Sequence, residues 1–269
     1  MSAGNVAREG AQTARKISRN PWVERLARAG YAASGLIHVV IGVIAARVAL
    51  GGSGGDSADQ SGALESLRSA PAGPLLLWLC VAGFAGLALW RLLNAIVGVE
   101  ELKDRATEGT QAVVYAVLGV TALSFARGGG SDGEESTQDL TATLLGAPFG
   151  RMLVLLVGAT VVVVGGYHVY KGLSEKFLED LQLPGGRTGQ VVRWAGRLGY
   201  PAKGIALVIV GLLFAYAGAT ADPDKAGGLD SALKTLVDQP FGPVLLGVIA
   251  VGLVLYGVYS FGRARYGKL

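Results

Sequence analysis

Charge is what this sequence has least of. Asp, Glu, Lys and Arg make up 16% of its 269 residues, where a soluble domain carries about a quarter. Cys80 is the single cysteine, which excludes a disulfide within one chain. Histidine is limited to His38 and His168. With no Cys/His cluster and no His-Glu-x-x-His, the sequence offers no metal-ligand motif and calls for no cofactor. The Gly-rich stretches GGSGGDS (51–57) and GGGSDGEE (128–135) lack the Lys and the following helix of a phosphate loop, and are expected to be flexible loops.

What the chain has instead is long apolar runs. Residues 29–46, 69–90, 109–126, 152–170, 204–221 and 239–262 contain no charged side chain. Each run is long enough to cross a hydrocarbon core of ~30 Å as a helix. Barrel strands would be shorter and would alternate in polarity. The expected fold is an all-α integral membrane protein with six transmembrane helices. The third, from Gln111 to Ala126, is short and weakly apolar, so its insertion should depend on its neighbours. Residues 1–28 are polar, with six Lys and Arg, and show no cleavable leader. They read as a largely disordered tail that becomes a short helix near Trp22.

Eighteen of the 24 Lys and Arg fall in the N-terminal segment, the second and fourth connections and the C-terminal tail. The other three connections carry the remaining six and are acidic. By the positive-inside rule both termini should be cytoplasmic. The basic side suits anionic lipid headgroups, and no nucleic-acid partner is implied.

The apolar runs repeat in pairs. GYAASGLIHVVIG (30–42) aligns with GYPAKGIALVIVG (199–211), and VYAVLGVTALSFA (114–126) fits between them. Tyr31, Tyr115 and Tyr200 are equivalent in this alignment. LRSAPAGP (67–74), LLGAPFGR (144–151) and LVDQPFGP (236–243) are equivalent in turn, and 19 residues past each Pro stands Trp90, Tyr167 or Tyr259. The chain therefore divides into a polar tail (1–21), hairpins over 22–98 and 99–176, a linker (177–190), a third hairpin (191–263) and a short tail (264–269). Pro71-x-Gly73, Pro148-x-Gly150 and Pro240-x-Gly242 should open the returning helices, with Pro in the first turn. Before them, GALESLRSA (62–70) and LDSALKTLV (229–237) place Leu at helical spacing and should lie flat at the outer interface.

The triplicated two-helix unit, with Gly-Tyr-x-x-x-Gly opening its first helix and Pro-x-Gly its second, resembles the bacterial membrane-protein family Domain of Unknown Function 1206. The resemblance covers roughly residues 22–263. The middle copy is divergent, lacking the Gly before its Tyr and having a shorter outer loop. The resemblance implies a pseudo-threefold bundle of hairpins in the bacterial cytoplasmic membrane, and it carries over no activity.

Small residues recur seven apart, at Gly35 and Gly42, Gly119 and Ala126, Gly204 and Gly211, and on returning helices at Gly165 (after Gly158) and Gly257 (after Ala250). Such seams let helices approach closely in lipid. His38 lies on the small-residue face of its helix, so it points into the bundle. It can serve as a relay or contact site with the three tyrosines, or as a hydrogen-bonded packing residue. Arg91, His168 and Ser260 each follow the recurring aromatic. Arg91 should snorkel to the cytoplasmic headgroups, with Trp90 and Tyr167 in the aromatic belt and His168 near the same interface.

None of the six runs buries Asp, Glu, Lys or Arg, as coupled transporters do, and no inverted repeat or broken span appears. Mitochondrial carriers share the layout of three parallel copies, but their Pro-x-acidic gate motif is missing. No Ser/His/Asp set supports an intramembrane enzyme. The expectation is a non-enzymatic structural or accessory membrane protein with a possible membrane-protein partner. The alternatives are a transporter or channel for a small neutral solute along the axis and, more remotely, a haem or metal module.

Overall fold

In the computed structural model the described residues are 20–52, 57–98, 101–130 and 132–268. Residues 1–19 of the expected tail (1–21) and most of the first Gly-rich loop lie outside them. Six helices are long and apolar enough to cross a membrane: α1 (Pro21–Ala49), α3 (Gly73–Leu93), α4 (Leu102–Ala126), α6 (Gly150–Leu173), α7 (Arg187–Thr220) and α9 (Gly242–Tyr266). Three shorter helices, α2 (Gln60–Arg68), α5 (Gly133–Gly146) and α8 (Leu229–Val237), each sit between an outgoing and a returning helix. Among the described residues the only strand-like pairing is an isolated bridge between Leu181 and Gly267.

The helices overrun their charge-free cores. The Asn20 side chain accepts from Trp22 N at 2.9 Å with Pro21 in the first turn, so α1 starts there. Trp22 thus belongs to the first span and not to a separate short helix. At 34 residues α7 is about 51 Å long, well beyond a bilayer core. The third span is not short, since α4 runs for 25 residues. Nor is GGGSDGEE all loop: Asp132 caps α5, accepting from Glu134 N at 2.8 Å, and gives the middle hairpin the longest of the three short helices.

The Pro-x-Gly motif is a turn and not a helix start. Gly73 N, Gly150 N and Gly242 N donate to the carbonyls of Ala70, Ala147 and Gln239 at 2.8, 2.9 and 2.8 Å. Each is a β-turn with Pro at its second position, where φ is preset. The returning helices then begin at the Gly, two residues after the Pro. A Cβ on Gly150 would lie 2.4 Å from two carbonyl oxygens of α5, and one on Gly242 2.2 Å from Leu236 and Val237 oxygens. Only Gly lets the two helices meet so sharply. The third position holds exposed Phe149 and Phe241 with φ of 60° and 62°, a left-handed conformation costly for a side-chain-bearing residue.

In space the spans run α4–α3–α1–α9–α7–α6. The returning helix of each hairpin packs on the outgoing helix of the next: α3 on α4, α6 on α7, α9 on α1. Within hairpins, α1 packs on α3 and α7 on α9, but α4 and α6 share no packed interface. The six spans therefore form a pseudo-threefold ring broken at the middle hairpin. Burial agrees, since α4 and α6 are far less buried than the other four spans.

The acidic end of the ring is sealed. Leu64 and Leu67 of α2 and Leu233 of α8 join Ile37, Ile41, Leu77, Phe84, Leu246 and Leu253 in one apolar core. The short helices thus pack into the bundle top, with α2 beginning at Gln60. Asp230 of α8 accepts from Ala58 N at 2.8 Å, and Ser61 at the start of α2 accepts from Gly133 N at 3.1 Å. These bonds tie the caps of the three hairpins to one another.

Candidate functional site

At the basic end each charge-free core stops at a charged residue: Arg28 on α1, Arg91 on α3, Glu108 on α4, Lys171 on α6, Lys203 on α7 and Arg263 on α9. Charge is costly near hydrocarbon, so such groups either run out to water or turn inward and pair. Arg28 pairs with Glu24 at 2.7 Å and donates to the carbonyls of Ala264, Arg265 and Gly267, closing the end of α9. The other five are drawn into one network in the basic half of the ring.

Arg91 is 4% exposed, so it does not snorkel to headgroups. Its guanidinium pairs with Glu108 and donates to the Tyr31 hydroxyl at 2.5 Å. Trp90 is buried beside it, with Arg91 4.9 Å from its ring centroid, and so leaves the aromatic belt to exposed Tyr167. Arg263 lies 4.5 Å from the other anchor of this cluster, the Tyr31 ring. It also reaches Asp180 Oδ2 at 3.5 Å, the oxygen that accepts from Lys171 Nζ at 2.7 Å. Asp180 lies in a short turn of helix, Lys176–Asp180, beyond the spans. Burial works to raise its carboxyl, yet Arg263 and Lys171 outweigh that and hold it below the usual carboxylate range.

Tyr200 is the centre of the aromatic part. Its ring stands 5.2 Å from Tyr256, 5.0 Å from Tyr259 and 5.6 Å from Phe177, and its hydroxyl donates weakly to Tyr259 at 3.4 Å. Lys171 Nζ is 5.7 Å from the Tyr200 ring, and Lys203 Nζ lies 4.2 Å over Tyr256. His38 is buried with its ring 4.7 Å from Tyr256. Its Nδ1 donates to the Ser34 carbonyl at 2.7 Å, a bond within its own helix. His168 does likewise to Val164 at 2.8 Å and stands 5.7 Å from Tyr200. The carbonyl partners place the ring proton on Nδ1 in both. Lys203 lies within electrostatic reach of both imidazoles.

The structure therefore gathers Tyr31, Tyr200, His38, Arg91 and His168 around one interior. Tyr115 stacks on Phe84 at 6.3 Å and is within electrostatic reach of Tyr31, Tyr256, Arg91 and Arg263. Tyr256, Lys203, Arg263 and Asp180 were not singled out by sequence, and Tyr259 only as the third copy's recurring aromatic. The signal for the cations was present, since they end the charge-free runs, but run ends read as exits to water. Among the described residues no group of three or more His, Cys, Asp or Glu could hold a metal.

The small residues hold this interior together. A Cβ on Gly204 would lie 2.5 Å from Gly165 O, and one on Gly165 2.7 Å from Gly204 O; Gly211 and Gly158 face each other in the same way. Gly35 and Gly257 repeat the arrangement between α1 and α9, and a Cβ on Gly42 would lie 2.7 Å from Ala250 O. Gly119 is looser, its nearest neighbour being Phe84 Cβ at 3.6 Å. The seams thus lie at the contacts between successive hairpins, and the divergent middle copy has the weakest one.

A six-span helical membrane bundle built from three tandem hairpins, with a charged and aromatic interior at one end, is the class this geometry defines. The chain belongs to the family described as Domain of Unknown Function (DUF1206), which matches it three times, over residues 29–98, 109–175 and 198–267. It is 34% identical over 260 residues to "Uncharacterized protein YxxB" of Bacillus subtilis (strain 168), covering 93% of this chain and 94% of that protein. No solved structure matches.

Proposed function

We propose that the chain is a non-enzymatic accessory protein of the bacterial cytoplasmic membrane, with both termini cytoplasmic and a membrane-protein partner. The observation that carries this reading is the sealed acidic end. There α2 and α8 join a continuous aliphatic core, and Gly133 at the start of α5 is bonded to Ser61 of α2, which supports a closed bundle over a pore. In proteoliposomes the purified chain should pass glycerol, urea and monovalent ions no faster than empty liposomes do. Saturable flux of any of them overturns this reading in favour of a transporter.

The orientation rests on the excess of Lys and Arg at the end where α1 begins and α9 finishes. Buried Cys80 leaves a silent background for thiol labelling. A membrane-impermeant maleimide should label Asp224→Cys in intact cells and Gly185→Cys only after permeabilisation, both positions being exposed. The reverse pattern inverts the topology.

A further inference from the structure

The interior carries more positive charge than it neutralises. Glu108 balances Arg91. That leaves Lys171, Lys203 and Arg263 facing the single carboxylate of Asp180. Among the described residues no carboxylate comes within 4.0 Å of Lys203 Nζ, which rests instead on the Tyr256 ring. Lys171 and Arg263 meet at Asp180 Oδ2, and the Tyr200 ring that Lys171 faces stands 5.2 Å from the Tyr256 ring under Lys203. A cation–π contact offsets only part of the cost of holding ammonium groups away from water. Two uncompensated positive charges at one level of a membrane bundle call for an anion.

The break in the ring says where that anion comes from. The acidic end is sealed, whereas α4 and α6 stand apart and open the interior sideways to hydrocarbon. His168 and Lys171 on α6 and Tyr115 on α4 carry the polar network to the edges of this opening. A ligand that is anionic at one end and apolar along the rest fits both features, and a free inorganic anion fits only the first.

We propose that Lys203, Arg263 and Lys171, gathered around Asp180 and the Tyr200–Tyr256 ring pair, hold the headgroup of one anionic lipid whose acyl chains leave the bundle between α4 and α6. The headgroup supplies the missing negative charge as charge-assisted hydrogen bonds to the ammonium and guanidinium groups. The three basic side chains come from α6, α7 and α9, so the lipid also bridges the second and third hairpins.

The test is native mass spectrometry of the delipidated full chain titrated with phosphatidylglycerol or phosphatidylcholine. One phosphatidylglycerol should stay bound at concentrations where phosphatidylcholine does not. Lys203→Gln should weaken that binding about tenfold, the worth of one charge-assisted contact, while Lys203→Arg retains it. Lys225→Gln, exposed at the acidic end, should bind as wild type. Arg263→Gln supplies a second reading should Lys203→Gln fail to fold. Equal retention of the two lipids, or wild-type binding by both neutralised variants, overturns the proposal. Displacement of the lipid by inorganic phosphate overturns the lipid assignment and makes the site one for a free anion.

Discussion

Leucine at Gly165 is expected to abolish assembly of the bundle, while leucine at Gly166, one residue on, leaves it intact. A Cβ at Gly165 would meet Gly204 O at 2.7 Å and Val208 N at 2.8 Å, both backbone atoms that cannot rotate away. At Gly166 a Cβ meets nothing within 4 Å. Helix propensity favours Leu over Gly at both places, so the difference isolates packing. Overpacking commonly costs 1–3 kcal/mol where side chains can adjust. Here the whole α6–α7 seam must part, so a loss of at least ~3 kcal/mol is expected. The loss should be large because, among the described residues, α7 is the only span on which α6 packs closely. The measurement is size-exclusion profile and melting temperature of the three proteins in one detergent. A sharp, wild-type-like melt for Gly165→Leu would show that the seam does not hold α6.

That seam was legible in the sequence because close helix approach has a narrow chemical solution. Small residues seven apart mark it in any helix, although which helix faces which emerges only from the fold. The six spans were legible for the same kind of reason, since bilayer thickness sets a minimum apolar length. Pro-x-Gly was visible as a landmark but its role was not. A helix N-terminus and a β-turn both favour Pro, and only the approach of Gly150 to α5 separates them. The charged interior was the least legible part. Arg91 ends a run of apolar residues just as a snorkelling Arg does. What turns it inward is Glu108, 17 residues later on another helix, and one-dimensional spacing does not reveal that pairing. The break between α4 and α6 was hidden too, although the divergent middle copy and its loosely packed Gly119 belong to the same hairpin.

Arg91→Met is expected to be among the most destabilising single changes in the chain, and Arg91→Met with Glu108→Leu substantially less so. The pair is buried, with side-chain exposures of 5% and 17%. Removing one partner of a buried ion pair strands the other and costs about 3–5 kcal/mol. Arg91→Met also leaves the Tyr31 hydroxyl without its cation, and releases the polar tie between α3 and α4. That tie matters because, among the described residues, α4 packs closely on α3 and on no other span. Replacing both members by apolar residues removes the stranded charge, and such replacements are often neutral in other proteins. The cycle formed by wild type, the two single variants and the double variant, read as melting temperature and denaturant midpoint, should give a favourable coupling of about 1–3 kcal/mol. A snorkelling arginine would behave otherwise, since an exposed charge contributes about 0–1 kcal/mol. Near-silent Arg91→Met with no coupling to Glu108 would therefore return Arg91 to the headgroups. It would also remove the charge balance that leaves Lys203 and Arg263 in need of an anion. The position of one guanidinium thus decides whether the basic end of this bundle is a membrane-facing rim or an interior with a site.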